Sequence, residues 1–340
     1  MKQFALAAAL GTAALLSSPT AEAGPTVDAI KKRGELICGV RESAVGFAHQ
    51  LPDGKYAGIA VDLCRAISIA ILGDAAKQKF VPLQADKRFP ALKAGEVDIL
   101  ISGSTYTMTR EIEHGFEFPA IYLYDGQGIM LPSKVGKRSA KDLNGLSICV
   151  TAGTTTERNL ANYFRENKRT YKPMPLPKLE DVRTAFFGGK CDAISADASA
   201  LYAMRAAYAP NPRDYLIVPE LLSKDPLAII VRSGDPQFTS IARWSFYALV
   251  QAEEDGITAK NVDEMLKTED VEIRRMLGVK EGQGKALGLD DAWVYKMVKQ
   301  VGHYGEIFDR NLGSGSQLKV SRGINALWTK GGMQYAPPFH

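Results

Sequence analysis

The chain has 340 residues, of which 46% are hydrophobic and 24% are charged. That composition is typical of globular proteins, and the length is sufficient for two domains. The formal net charge of +4 comes without a basic cluster, which argues against a nucleic-acid partner.

Residues 1–23 have the pattern of a signal peptide. Lys2 precedes the apolar run "FALAAALGTAALL", and "AEA" at 21–23 is a small-x-small cleavage site. The run is too short to span a bilayer, and no other apolar stretch reaches transmembrane length. The sequence therefore predicts an exported, soluble mature protein that begins at residue 24.

Strand and helix patterns alternate twice along the chain. The first half predicts strands at 35–40, 79–83 and 97–102, with helices at 60–72 and 88–94. The second half predicts strands at 146–150, 171–176 and 191–195, with helices at 155–166 and 180–187. "ALKAGEVDIL" (91–100) also matches "AFFGGKCDAI" (185–194) in pattern. This alternation predicts two similar α/β lobes with parallel sheets.

Two strand-like segments, 128–134 and 227–235, are candidates for hinge strands that join the lobes. Beyond residue 236 the chain reads as mostly helical. We therefore predict a first lobe of residues 24–130 plus 232–340, with a helical C-terminal extension. The second lobe covers residues 131–231, and a ligand cleft lies between the two.

The first candidate site follows the strand at 97–102. Ligands of open α/β sheets bind at the carboxyl ends of strands, and Gly103 there lets a ligand approach the backbone closely. Thr105 and Thr107 offer hydroxyls, and Arg110 offers a planar guanidinium suited to a carboxylate or phosphate. The alternative is structural: Thr107 caps a short helix and Arg110 makes a surface ion pair.

The second lobe presents a carboxylate and a helix N-terminus at equivalent strand ends. Asp197 follows the strand at 191–195, where it either binds a cation or caps the next helix. Thr154 and Glu157 form a capping box after Gly153, and helix N-termini favour anions. An arginine, an amide nest and an aspartate together fit an amino-acid zwitterion.

The chain has four cysteines, Cys38, Cys64, Cys149 and Cys191. An even number in an exported protein predicts two disulfides with three possible connectivities. Buried free thiols and a metal site are the alternatives. No C-x-x-C pair occurs and the four histidines are scattered, so we expect neither a metal nor a cofactor.

These residues carry a resemblance to the periplasmic solute-binding proteins of polar amino-acid ABC importers. The pattern D-x-x-x-S-G-x-T-x-T-x-x-R is present at 98–110, and G-T-T-x-E and D-x-x-x-x-D are present at 153–157 and 192–197. "GTTTERNLANYF" and "VGHYGEIFDRNLG" resemble the general L-amino-acid-binding branch. The resemblance implies a type II periplasmic-binding-protein fold, which is also the ligand-gated ion channel-like fold, and a periplasmic location.

The resemblance also implies roles for individual residues. Arg110 would bind an α-carboxylate with Thr105, the backbone near Gly103 and the Thr155 amide, and Asp197 would bind an α-ammonium. The cysteines would pair as Cys38–Cys64 and Cys149–Cys191. The implied partners are an amino-acid ligand and the transmembrane permease subunits of an importer, and we expect a monomer.

Specificity is left open between alternatives. Arg41 could attract an acidic ligand side chain, or it pairs with Glu42 or points to solvent.

The alternative to a binding protein is an enzyme on the same fold, such as a dehydratase acting on a small carboxylic acid. Such an enzyme needs a positioned acid or base, and Asp197 is already assigned to the ammonium. A ligand-sensing protein for a membrane receptor would use the same cleft.

Overall fold

The computed structural model describes residues 24–280 and 282–339, so the predicted signal peptide, residues 1–23, lies outside the described residues. The strands are β1 Leu36–Arg41, β2 His49–Gln50, β3 Tyr56–Ala57, β4 Gln78–Leu83, β5 Ile99–Ile101, β6 Phe116–Glu117, β7 Ile121–Asp125, β8 Gln127–Pro132, β9 Ser147–Thr151, β10 Lys172–Leu176, β11 Ala193–Asp197, β12 Tyr215–Ile217, β13 Asp225–Ala228 and β14 Ile230–Arg232. The α-helices are α1 Pro25–Arg33, α2 Ile59–Leu72, α3 Arg88–Ala94, α4 Thr155–Glu166, α5 Leu179–Phe187, α6 Ala198–Tyr208, α7 Pro236–Glu254, α8 Val262–Met265, α9 Val271–Met276, α10 Trp293–Val301 and α11 Tyr304–Asn311.

Two five-stranded sheets form the centres of two lobes. The first has the strand order β4-β1-β5-β14-β6, and the second has the order β10-β9-β11-β8-β12. In each sheet the first three strands are parallel and are linked through helices, and the remaining two pair antiparallel. The predicted alternation of strands and helices is confirmed, and so is the two-lobed α/β fold.

The hinge strands differ in part from the prediction. β8 covers residues 128–132 of the first predicted segment and lies inside the second sheet, and β14 covers residues 230–232 of the second predicted segment and lies inside the first sheet. The chain passes between the two sheets through β7 and β13, which pair antiparallel, and β13 includes residues 227 and 228 of the second predicted segment. β8 is buried along almost its whole length, which is typical of an inner strand covered on both faces rather than of a connector. The lobe bounds remain a prediction. The β7–β13 pair moves the point at which we expect the chain to pass from the first lobe to the second from residue 130 to Asp125 and Gly126.

Both predicted disulfides are present. Cys38 in β1 is bonded to Cys64 in α2, and Cys149 in β9 is bonded to Cys191 next to β11. Each bridge therefore lies within one sheet-and-helix unit. The pairing that the resemblance implied is confirmed.

The helical C-terminal part packs on the first lobe. α2 has twelve buried residues out of fourteen and contacts α7, α10 and α11. Its buried Asp62 accepts hydrogen bonds from Arg310 and Asn311 of α11, each at 2.7 Å. A buried carboxylate needs such partners, so this contact fixes α11 onto α2. Among the described residues, no helix combines the length and the apolar character needed to cross a membrane.

The chain beyond α11, residues 313–339, which we call the C-terminal tail, returns to the hinge. Asn325 accepts a hydrogen bond from the backbone N–H of Tyr124 at 2.7 Å and donates one to its carbonyl at 2.8 Å. Arg322 forms an ion pair with Glu253 of α7 at 3.1 Å. The tail therefore covers the free edge of β7 while it is held to the first lobe.

Candidate functional site

The predicted site residues lie at the carboxyl ends of strands from both sheets. β1 ends at Arg41, β5 leads into Gly103 and Thr105, and β11 ends at Asp197. β9 ends just before the N-terminus of α4, where Thr154 and Thr155 lie. This placement follows the general rule for ligand sites in open α/β sheets.

Two side-chain contacts join the lobes across the cleft. Arg41 Nη1 lies 3.3 Å from Asp197 Oδ2. Thr105 Oγ1 lies 3.2 Å from Thr155 Oγ1. The cleft is therefore closed in this structure. A cavity of about 20 Å³ remains beside Arg41, with room for about one water molecule.

Arg110 is buried in the first lobe, with 7% of its surface exposed. It lies on a single π-helical turn, Thr109–Glu113, and its guanidinium donates to the carbonyl of Thr105 and covers the ring of Phe89 at 4.9 Å. Burial, followed by the charge of Arg158, lowers the pKa of Arg110 to about 10. The guanidinium thus stays charged at neutral pH, and the alternative of a surface ion pair is wrong.

Asp197 does not cap its helix. It stands at the N-cap position of α6, but its side chain makes no capping hydrogen bond and lies against Arg41. Burial raises the pKa of Asp197, and the Arg41 guanidinium opposes that shift. The charge of Arg88 opposes the shift as well, more weakly than Arg41, so two guanidiniums offset the burial of this carboxylate.

The glycine and the capping threonine already have partners. The backbone N–H of Gly103, at φ 64°, donates to the hydroxyl of Tyr122 at 3.1 Å, so a ligand would have to share it. The Thr154 hydroxyl accepts from the Glu157 N–H at 3.3 Å and donates to the carbonyl of Thr151, which makes it a helix cap. Thr155, the first residue of α4, lies in the cleft.

The backbone of Gly103 is in the left-handed region, which favours glycine. A Cβ at this position would lie 3.4 Å from Arg41 Nη1, an ordinary van der Waals contact, so the guanidinium lies directly beside this turn. Arg41 pairs with Asp197 across the cleft, so the alternatives of a Glu42 pair and of a solvent-facing side chain are both wrong.

Arg88 is a cleft residue that the sequence reasoning missed. It is 4% exposed, its Nε has no hydrogen-bond partner, and its guanidinium lies 5.1 Å from the centre of the Phe89 ring. Burial lowers the pKa of Arg88 to about 9, and the charges of Arg110 and Arg41 lower it further in that order. The signal was available, because Arg88 follows the carboxyl end of β4 just as Arg41 ends β1.

Asp197 and Asp225 lie close enough to Arg110 for their charges to raise its pKa, and Asp125 lies beside Asp197 at the hinge. Asp225 accepts a hydrogen bond from Thr105 Oγ1 at 3.1 Å, and Asp125 accepts from the Ser199 hydroxyl and from Gly126 N at 2.8 Å. Burial and the nearby Asp197 raise the pKa of Asp125 to about 7. The cleft therefore combines separate cationic and anionic groups. Within residues 24–280 and 282–339, no cluster of three or more His, Cys, Asp or Glu side chains could hold a metal.

Comparisons with known proteins agree with this geometry. The model of the bacterial extracellular solute-binding proteins, family 3, matches residues 36–312. The general L-amino acid-binding periplasmic protein AapJ of Rhizobium johnstonii is 44% identical over 99% of both chains. The glutamate/glutamine/aspartate/asparagine-binding protein BztA of Rhodobacter capsulatus is 44% identical over the full length of both chains.

A solved structure is similar throughout. It is an ABC transporter periplasmic binding protein from Brucella ovis with glutathione bound. It is 49% identical to this chain and has a TM-score of 0.90, covering 92% of this chain and 98% of that one. The similarity includes the C-terminal part of this chain, because the 92% of the chain that is covered extends well beyond the two central sheets. The chain belongs to the bacterial extracellular solute-binding proteins of family 3, and it is a binding protein rather than an enzyme.

Proposed function

We propose that this chain is the periplasmic substrate-binding component of an ABC importer and captures a polar L-amino acid, with an acidic or amide side chain favoured. The family and the relatives that carry amino-acid-binding names support the class of ligand. In this proposal the chain is exported by the signal peptide at 1–23, works as a monomer, and delivers its ligand to the transmembrane permease subunits.

The ligand backbone binds between the two lobes. Arg110 binds the α-carboxylate together with Thr105 and the amide of Thr155, and Asp197 binds the α-ammonium. Each charged contact in a desolvated cleft contributes about 1.5–3 kcal/mol. Because these groups belong to different lobes, only the closed form makes all the contacts, and the ligand therefore stabilises closure.

The preference for an acidic side chain rests mainly on Arg88. Its buried Nε lacks a partner in the closed structure, and burying an unpaired charged donor is costly. A ligand ammonium at Asp197 would also displace Arg41, which leaves two guanidiniums facing the ligand side chain. A side-chain carboxylate would satisfy both, whereas an apolar side chain would leave both unpaired.

A small γ-linked peptide is the second candidate. The Brucella ovis neighbour has glutathione bound, and a γ-glutamyl group carries the same zwitterion as a free amino acid. The clamp of Arg110 and Asp197 would bind that end without change. The cavity of about 20 Å³ beside Arg41 is too small for either ligand, so the lobes must separate further for a free amino acid, and further again for the remainder of the peptide.

The test is a thermal-shift and calorimetric screen of the mature protein against the twenty L-amino acids and glutathione. A ligand at a thousand times its Kd raises the free energy of unfolding by about 4 kcal/mol, which moves the melting temperature by several degrees. We expect glutamate, aspartate and their amides to bind, and Arg110→Ala to abolish the shifts. Shifts with glutathione alone would favour the peptide, and the absence of any shift would contradict the proposal.

Arg88→Gln tests the side-chain preference separately. We expect this variant to bind glutamate about 10- to 100-fold more weakly, with a much smaller change for glutamine, because it loses one charged hydrogen bond. Lys93→Gln is the matched control, since Lys93 is an exposed cation on the same helix. Equal losses for glutamate and glutamine in Arg88→Gln would contradict an acidic preference.

A further inference from the structure

A cavity of about 690 Å³ lies beside the strands that join the lobes. Tyr202 of α6 and Leu221, which follows β12, line it from the second lobe. Ile324 and Met333 line it from the C-terminal tail. We call this space the hinge cavity.

The strands that join the lobes separate the hinge cavity from the cleft. Thr105 pairs with Leu227 of β13, and the N–H of Tyr106 donates to the carbonyl of Pro226 at 2.8 Å. The Thr105 side chain contacts Asp225 on the cleft side, whereas Tyr106 and Pro226 line the hinge cavity. Successive side chains of an extended segment point to opposite faces. The cleft and the hinge cavity therefore lie on opposite faces of this ribbon.

The two apolar walls move with different lobes. Tyr202 belongs to a helix that packs on β8 and β11 of the second sheet. The tail is held to the first lobe, because Arg322 pairs with Glu253 and the buried Gln334 donates to Tyr304 at 3.4 Å. A rotation about the ribbon that opens the cleft therefore brings the walls of the hinge cavity together.

The walls expose an unusual amount of apolar surface. Tyr202 is 40% exposed, Leu221 57%, Ile324 52% and Met333 48%. These are four of the eleven exposed large apolar side chains found among the described residues. Such a concentration is uncommon on a soluble protein, and water contact with it is unfavourable.

We propose that the hinge cavity closes when the cleft opens, so that Tyr202 and Leu221 pack against Ile324 and Met333. The apolar contact then stabilises the open, unliganded form and competes with ligand-driven closure. The strength of this contact sets the fraction of molecules that are closed before a ligand arrives. The apparent Kd is the intrinsic Kd divided by that fraction. The hinge cavity therefore tunes affinity without any contact to the ligand.

The test uses two substitutions in the full mature chain, Leu221→Ser and Ile324→Ser, with Val271→Ser as the matched control. Val271 is 65% exposed on α9 and does not line the hinge cavity. Small-angle X-ray scattering of the unliganded proteins measures closure directly. We expect both variants, and not the control, to have a smaller radius of gyration than the wild-type protein.

Calorimetry with L-glutamate gives the second readout, which rests on the proposed function. We expect both variants to bind roughly three- to tenfold more tightly than wild type. Leu221→Trp fills the hinge cavity and is expected to act in the same direction. The scattering needs no ligand, so it still decides the matter if glutamate does not bind. The proposal would be overturned if Leu221→Ser, Ile324→Ser and Leu221→Trp all had the radius of gyration of wild type. Weaker glutamate binding than wild type in these variants would overturn it as well.

Discussion

At the scale of single residues, two of the buried charges of the cleft have partners that offset the cost of burial. Asp197 has Arg41 across the cleft, and Arg110 has the carbonyl of Thr105 and the face of Phe89. In our proposal a bound zwitterion replaces the first of these partners. In that proposal the ligand ammonium takes the position beside Asp197 that the Arg41 guanidinium occupies in this structure.

Asp125 makes stability depend on pH. Burial and Asp197 raise its pKa to about 7, whereas an unfolded aspartate has a pKa of about 3.9. The folded state therefore binds more protons between these values, and the free energy of unfolding falls as pH rises through this window. We expect the melting temperature of Asp125→Asn to match wild type near about pH 4 and to exceed it by several degrees at about pH 8. A difference that does not change with pH would contradict this.

At the scale of elements, each sheet is joined to neighbouring structure by one disulfide. Cys38–Cys64 closes a 26-residue separation between β1 and α2, and Cys149–Cys191 closes a 42-residue separation between β9 and the residues just before β11. β1 ends at Arg41, β9 ends shortly before Thr155, and β11 ends at Asp197. The bridges therefore restrain three of the strands that end at the cleft, whereas β5, which leads to Thr105, is not bridged.

Removing the second bridge should lower stability without moving the site residues themselves. We expect the double variant Cys149→Ser with Cys191→Ser to lose about 3–4 kcal/mol of unfolding free energy, because the unfolded chain regains loop entropy. Denaturant unfolding measures the loss, and the double change avoids a leftover thiol. An unchanged midpoint would show that the bridge contributes nothing to stability.

At the scale of the whole molecule, the C-terminal tail connects the helical extension to the hinge. Asn325 occupies the free edge of β7 as an additional strand would, with one hydrogen bond to each backbone group of Tyr124. The tail also forms one wall of the hinge cavity. It is therefore placed to influence both the stability of the hinge and the position of the lobes.

Asn325→Leu tests this attachment. The substitution removes both hydrogen bonds and leaves the backbone groups of Tyr124 without their side-chain partner, so we expect a loss of about 1–3 kcal/mol in unfolding free energy. Chemical denaturation of the unliganded protein measures it. Asn325 lies outside the cleft, so we expect the variant still to bind ligand. A variant as stable as wild type would show that Asn325 does not hold the tail to β7.

Much of the architecture was predictable from local patterns. The bounds of α3 and α4 match the prediction, and the central strands differ from it by one to three residues. These elements follow from the periodicity of apolar residues and from capping signals, which act over a few residues. The first hinge strand was misplaced by several residues, and the second was placed only in part, because β13 ends at Ala228. An apolar run has the same pattern in a connecting strand and in an inner strand, so strand pairing is needed to distinguish the two.

The sequence alone determined the two α/β lobes, the cysteine pairing implied by the resemblance, and the strand ends that carry Thr105, Arg110 and Asp197. Tertiary structure decided what those residues face. The unpaired Arg88, the Arg41–Asp197 contact and the hinge cavity depend on side chains that are far apart in the chain and meet only when the lobes are packed. The local sequence pattern determines which strand or helix a side chain belongs to. Its burial and its charged partners depend on residues that are distant in the sequence and close in the folded protein.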